Sequence, residues 1–284
     1  MFKKLGNIIK WIGQHFMGML FLLIAFVLLM PSSTAKLQTA NLQEIKLTGP
    51  IISADSILKE IEEAQNDTNI KGVLLNVDSP GGAVPPSIEI AYAIKELKKH
   101  KPVIAYASGV MASGSYYASI YANKIIANPG AIVGSIGVIM ESANIEKLMH
   151  TLGVETQIVK QGTYKEAGTP TRKWTPQERA ELETLTKDTY ALFVSDVAKA
   201  RGLDVSKDKN YADAHIFSSK RAKEAGLIDE IGVMHTAKAQ LATLAKVKKP
   251  AWKEKNKLES FVEQFVAKSI MQLQAYFYGL QARL

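Results

Sequence analysis

The chain has 284 residues, room for one large domain or two small ones plus appendages, and its 47% hydrophobic and 22% charged content is ordinary for a globular protein that also carries an apolar segment. It has no cysteine, so a disulfide framework and thiolate metal sites are excluded. The net charge of +8 comes from lysines scattered over helix faces and chain ends, without the aromatic–basic interleaving of single-strand binders, so a nucleic-acid partner is not expected.

The first element is a targeting segment. Lys3, Lys4 and Lys10 precede an apolar run from Trp11 to Met30, broken weakly by Gln14 and His15. Twenty helical residues are about enough to cross a bilayer core, and the basic flank predicts a cytoplasmic N-terminus. Residues 1–36 are therefore expected to be a basic flank and a single-pass anchor, with the rest exported. A cleaved signal peptide is the alternative, because Ser33-Thr34-Ala35 resembles a small-residue cleavage site.

Residues 37–245 read as the folded domain. Gln43 to Thr48 alternates as a strand, and Ser53-Ala54-Asp55 can cap a helix with Ile57, Leu58, Ile61 and Ala64 on its apolar face. Ser56-Ile57-Leu58-Lys59 has the Ser-x-x-Lys spacing of penicillin-binding proteins, but no Ser-Asp-Asn or Lys-Thr-Gly follows, so it reads as a solvated helix face. Ile70 to Val77 is a buried strand that ends in Asp78-Ser79-Pro80-Gly81-Gly82, ahead of a helix at about 86–99. Tandem glycines there make either a tight turn or a pair of outward N–H donors for an anion. Gly-x-Gly-x-x-Gly is absent, so no dinucleotide is indicated.

Val103 to Tyr106 is the next strand, and a turn of small residues leads through Ser113 into a helix over Tyr116 to Tyr121. A serine at the first helical turn lies near free N–H groups and the positive end of the helix dipole. It either caps the helix or serves as a nucleophile whose substrate develops negative charge. Met111 and Ser115 stand where a Gly-x-Ser-x-Gly elbow needs glycine, against an α/β-hydrolase.

Strands are expected at Lys124 to Asn128, Ile132 to Val138 and Glu155 to Lys160, with a helix near Asn144 to Leu152. Gln161 to Gly168 is a loop with Lys165 between glycines. A long helix runs from Pro176 to about Arg201, with Leu182, Leu185, Tyr190, Phe193, Val194 and Val197 on its apolar side. Asp213 to Phe217, a helix over Ser218 to Ala225, and Gly226-Leu227-Ile228-Asp229 close the domain. The alternation predicts an α/β layered fold. His15, His100, His150, His215 and His235 are dispersed, and no cluster has metal-ligand spacing. A nucleophilic Ser113 then needs a base other than histidine, and a lysine held neutral can serve. Residues 246–284 read as a basic link and an amphipathic helix, packed on the domain or a neighbour or lying on a membrane surface.

Four spaced motifs stand in order: Ser79-Pro80-Gly81-Gly82, Ala112-Ser113-Gly114-x-Tyr116-Tyr117, Gly134-Ser135-Ile136-Gly137-Val138, and Gly162-x-Tyr164-Lys165. With Ala222-x-x-x-Gly226-Leu227-Ile228-Asp229 and the N-terminal anchor, they resemble the signal peptide peptidase A family in its short, single-domain bacterial form. The resemblance implies an α/β fold similar to the Clp protease subunit and the crotonases. It implies a serine endopeptidase, needing no cofactor or metal, that degrades cleaved signal peptides and other apolar peptides in or near the inner membrane, with the catalytic domain on its extracytoplasmic side. It implies a dyad of Ser113 and Lys165, with Ser135 orienting the lysine and the N–H groups of Gly81 and Gly114 forming the oxyanion hole. It further implies a ring of copies in which neighbours contribute the serine and the lysine, where desolvation would favour neutral Lys165.

Ser115 departs from the family pattern, which has a second glycine there, so a side chain is added next to the oxyanion donors. Two other classes stand beside this one. A crotonase-like acyl-CoA enzyme shares the glycine-rich loops, but the export segment argues against it. An inactive membrane scaffold is raised by Ser115 alone.

Overall fold

The computed structural model describes residues 39–253, with His15, Gly18 and Phe21 ahead of them. Apart from those three, the expected anchor lies outside the described residues, as does the expected amphipathic segment beyond Lys253. Among the described residues no helix is long and apolar enough to cross a membrane.

Among the described residues, seven strands form one mixed sheet. β1 (Leu42–Thr48), β2 (Gly72–Ser79), β3 (Val103–Ala112), β4 (Lys124–Ala127) and β7 (Glu230–Ile231) lie side by side in that order, all parallel. β5 (Ile132–Gly134) pairs in parallel with the last three residues of β3, and β6 (Ile216–Ser218) adds to β5 antiparallel. β3 is the hub: its first half pairs with β4 and its end with β5, so the residue after Ala112 is held from both sides.

The near-continuous apolar runs of β2 and β3 follow from burial on both faces. Leu75, Val103, Ala105 and Ala107 face the larger core, shared with Ile57 and Ile61 of α1 (Asp55–Asn66) and Ile90 and Ile94 of α2 (Val84–Leu97). Leu74, Ile104, Tyr106 and Ile126 point the other way, onto Ala237 and Leu241 of α7 (Met234–Leu244). Each Leu, Ile or Val side chain among these withdrawn from water contributes roughly 1.5–3 kcal/mol. At the β1 edge, Asn41 and Leu42 donate their N–H groups to Ala251 O at 2.7 and 3.1 Å, and Lys253 N–H returns to Leu42 O at 2.8 Å. The strap thus occupies backbone groups that an open edge would expose.

The expected α/β layering is present, with short helices α4 (Glu146–Thr151) and α6 (Ser219–Glu224), and α5 (Pro176–Arg201) spans the expected residues. It starts on a capping box between Thr175 and Glu178 and ends on Gly202 in the left-handed conformation. Its burial is concentrated in the second half, at Phe193, Val194 and Val197, whereas Leu185 is exposed. Two expected strands change, and the segment 213–217, given no type from the sequence, forms a short one. The strand over Ile132–Val138 stops at Gly134, because Ser135 has φ +51° and turns the chain out of the sheet. Residues 213–217 enter the sheet only at Ile216, because Asp213 and Ala214 have φ +55° and +57°. Glu155 to Lys160 forms no strand: no partner strand lies beside it among the described residues, and Ile158 and Val159 are exposed.

Candidate active site

Ser113 sits at the junction of β3 and α3 (Gly114–Ser119), with φ +52° and ψ −124°. This is a sparsely populated backbone for a residue with a Cβ, and it persists because its neighbours hold it. Ser113 N–H donates to Gly134 O at 2.8 Å, and its carbonyl accepts from Tyr117 N–H at 3.0 Å. Parallel register pairs Ala112 with Gly134, so Ser113 and Ser135 are the residues that follow the last pair of two adjacent strands. Both have φ near +50°. Ser135 N–H donates to His215 O at 2.7 Å, which fixes its backbone in turn.

The glycines allow close approach. A Cβ on Gly81, whose φ is +93°, would stand 2.5 Å from Gly114 N and 2.8 Å from Ser113 Cβ. A Cβ on Gly114 would stand 2.2 Å from Ser87 Oγ. The structure therefore brings Ser113, Gly81 and Gly114 together, with Ser135 next to them. Gly81 N–H is engaged, donating to Ser79 Oγ at 3.2 Å. The N–H groups of Gly82 and Gly114 have no acceptor among the described residues. Gly82 N lies 3.3 Å from where a Cβ on Gly114 would stand. Of the tandem pair, then, the resemblance singled out the glycine with the occupied N–H.

Ser115 is fully buried and does not intrude on this cradle. Its hydroxyl accepts from Ala112 N–H at 2.9 Å and reaches Ser79 O at 2.6 Å and Ala112 O at 2.9 Å. The side chain ties the end of β2 to the Ser113 turn.

Beside Ser113 opens an apolar cleft walled by Val84 and Ile88 of α2, Tyr117 of α3, Val138, and Leu192 and Phe193 of α5. Tyr117 hydrogen-bonds through its hydroxyl to the buried Asp196 carboxylate of α5, while Tyr116 donates to Leu227 O at 2.8 Å. Burial pushes both phenols up, and for Tyr117 the bond to Asp196 adds to the effect. α3 is thus anchored on two sides, and the Tyr117 ring is presented to the cleft. Nothing in the sequence patterning distinguished Asp196 from a surface acid of a long helix.

Lys165 is not among the residues that wall this cleft. It is exposed, on a loop in which its N–H donates to Gly162 O at 3.3 Å. That loop is tied to α5 through ions. Glu166 pairs with Lys160 and, at 3.2 Å, with Arg172, which forks onto Glu178 at 2.7 and 2.9 Å. The Lys160 and Arg172 cations hold the Glu166 carboxyl below its ordinary range, and Arg172 with Thr175 brings Glu178 to about 2.

The profile of peptidase family S49 matches residues 95–248. A protein of Methanocaldococcus jannaschii with a provisional protease name is 40% identical over 67% of this chain and 61% of its own length. A provisionally named signal peptide peptidase SppA of Enterococcus faecium is 36% identical over 68% of this chain and 56% of its own. The chain thus spans less than two thirds of the length of these two relatives. Among solved structures, a ClpP1 mutant from Listeria monocytogenes aligns with a TM-score of 0.48 and 15% identity, over 68% of this chain and 93% of that one.

Proposed function

Because the chain belongs to peptidase family S49, we propose that it is a membrane-anchored serine endopeptidase with Ser113 as nucleophile and Lys165 as general base. The observation that carries this reading is Ser113 itself, held at φ +52° at a strand-to-helix turn, beside unengaged N–H groups and an apolar cleft. In the reaction, a neutral lysine amine takes the Ser113 proton as Oγ attacks the peptide carbonyl. The tetrahedral oxyanion is received by backbone N–H groups, those of Gly114 and of Gly81 or its neighbour Gly82, an arrangement that is worth several kcal/mol of barrier elsewhere. Collapse expels the amine, which recovers the proton, and water then hydrolyses the acyl-enzyme.

Lys165 is exposed and stands apart from the cleft walls, and this supports a site completed between copies. One copy would supply Ser113, with Ser135 to orient the lysine, and the next would supply Lys165. The exposed apolar side chains on the segment leading to Lys165, Leu152, Val154, Ile158 and Val159, suit burial in a ring of that kind. We propose further that the domain has the Clp protease and crotonase type of layering and lies on the extracytoplasmic side of an inner membrane. Residues 1–36 would anchor it there, and its substrates would be signal-peptide remnants and other apolar peptides.

A fluorophosphonate probe tests the nucleophile. It is expected to label the purified full chain on Ser113, located by peptide mass mapping, and to leave Ser113→Ala unlabelled. Labelling of Ser113→Ala at the wild-type rate would reject the assignment.

A further inference from the structure

Five residues other than glycine have positive φ among the described residues: Ser113, Ser135, Asp213, Ala214 and Lys246. The first four belong to one hydrogen-bonded ladder. Ser113 N–H donates to Gly134 O at 2.8 Å, Ser135 N–H to His215 O at 2.7 Å, and Ala214 N–H to Ile136 O at 2.9 Å. The ladder ends on a side chain: Asp213 N–H donates to the Tyr190 hydroxyl at 3.0 Å. Packing is close along it, since a Cβ on Gly137 would stand 2.7 Å from Ala214 Cβ and one on Gly134 2.8 Å from His215 O.

Two successive left-handed residues with side chains do not hold that conformation on their own. Here the Tyr190 hydroxyl gives the first of them its acceptor. Tyr190 belongs to α5, between Thr189 and Leu192, which wall the cleft beside Ser113. One helix therefore supports both the cleft and the loop on which Ser135 rests. We propose that Tyr190 is a positioning residue for Ser135, acting through Asp213, Ala214 and His215. This rests on the reading of Ser135 as the group that orients Lys165. Tyr190 would not touch substrate. It would hold the Ser135 backbone where its hydroxyl can meet the lysine of the neighbouring copy.

The test uses the full chain in detergent, with a peptide ending in leucyl-aminomethylcoumarin as substrate and Ser113→Ala as the control for contaminating protease. Tyr190→Phe removes one oxygen and keeps the partly buried ring packed against the core. It is expected to lower kcat about tenfold with KM nearly unchanged, the scale of one lost hydrogen bond felt at the reacting groups. Combined with Ser135→Ala, it should lower kcat no further than Ser135→Ala alone, because both changes remove the same function. Amide hydrogen exchange supplies a readout independent of turnover. Peptides covering residues 132–138 should exchange faster in Tyr190→Phe, with β1 and β2 unchanged. Unchanged exchange at 132–138, multiplicative losses in the double variant, or a fully active Ser135→Ala would each overturn the proposal. A wild type without Ser113-dependent hydrolysis would reject the peptidase reading, while faster exchange would still uphold the staple.

Discussion

At the scale of single residues, the site is built from backbone held where chains seldom rest. Ser113 and Ser135 both carry a Cβ at positive φ, a state that costs of order 1–3 kcal/mol each. The adjacent ladder residues, Gly134 and His215, offset this by accepting both N–H groups. Ser115 belongs to the same support. Its hydroxyl satisfies Ala112 N–H and Ser79 O inside the fold. Ser115→Ala would leave both groups buried without that partner, and is expected to destabilise the protein by about 1–3 kcal/mol. Urea unfolding monitored by tryptophan fluorescence checks this, and an unchanged midpoint would contradict it. Ser113 in the folded fraction should still take the fluorophosphonate, since the hydroxyl of Ser115 is directed into the core. The departure from the family glycine at this position is therefore accommodated by added hydrogen bonds.

Among the elements, α5 does the most to shape the site. Its second half walls the cleft and carries Asp196 to Tyr117, while its start is fixed by the Arg172 clamp on Glu178. That carboxyl is moved from its ordinary value of 4.5 to about 2, and depression means that ionised Glu178 favours the folded state. Its contribution is whole above pH 4.5 and is lost as pH falls towards 2. Thermal melts over this window should fall more steeply with acid in wild type than in Glu178→Gln, and parallel curves would contradict the assignment. α5 was legible from end to end because Pro176, the capping box and Gly202 are local signals. The end of β5 and the start of β6 were not, since Ser135, Asp213 and Ala214 take positive φ through long-range hydrogen bonds that no periodicity encodes. The strand expected over Glu155 to Lys160 has the β-branched residues Thr156, Ile158 and Val159, but pairing needs a neighbour, and none stands there among the described residues. Ser113, Gly81 and Gly114 were legible as motifs between a strand and a helix. Gly82 was legible as one of the tandem pair, whereas the roles of Tyr190 and Asp196 were not, because they depend on which groups meet across the fold.

On the scale of the whole molecule, one copy presents a serine in a formed cradle and a lysine on an exposed loop beside exposed apolar side chains. In the proposed ring, the interface would be of the head-to-tail kind, in which each copy gives one surface and receives another. The central claim is that Ser113 of one copy works with Lys165 of the next. Mixing two inactive variants, Ser113→Ala and Lys165→Ala, tests it most directly. After co-expression or subunit exchange, hydrolysis should return to about one quarter of the wild-type rate, the statistical share of head-to-tail interfaces that join an intact serine to an intact lysine. A mixture that assembles as wild type does and stays inactive would contradict the account.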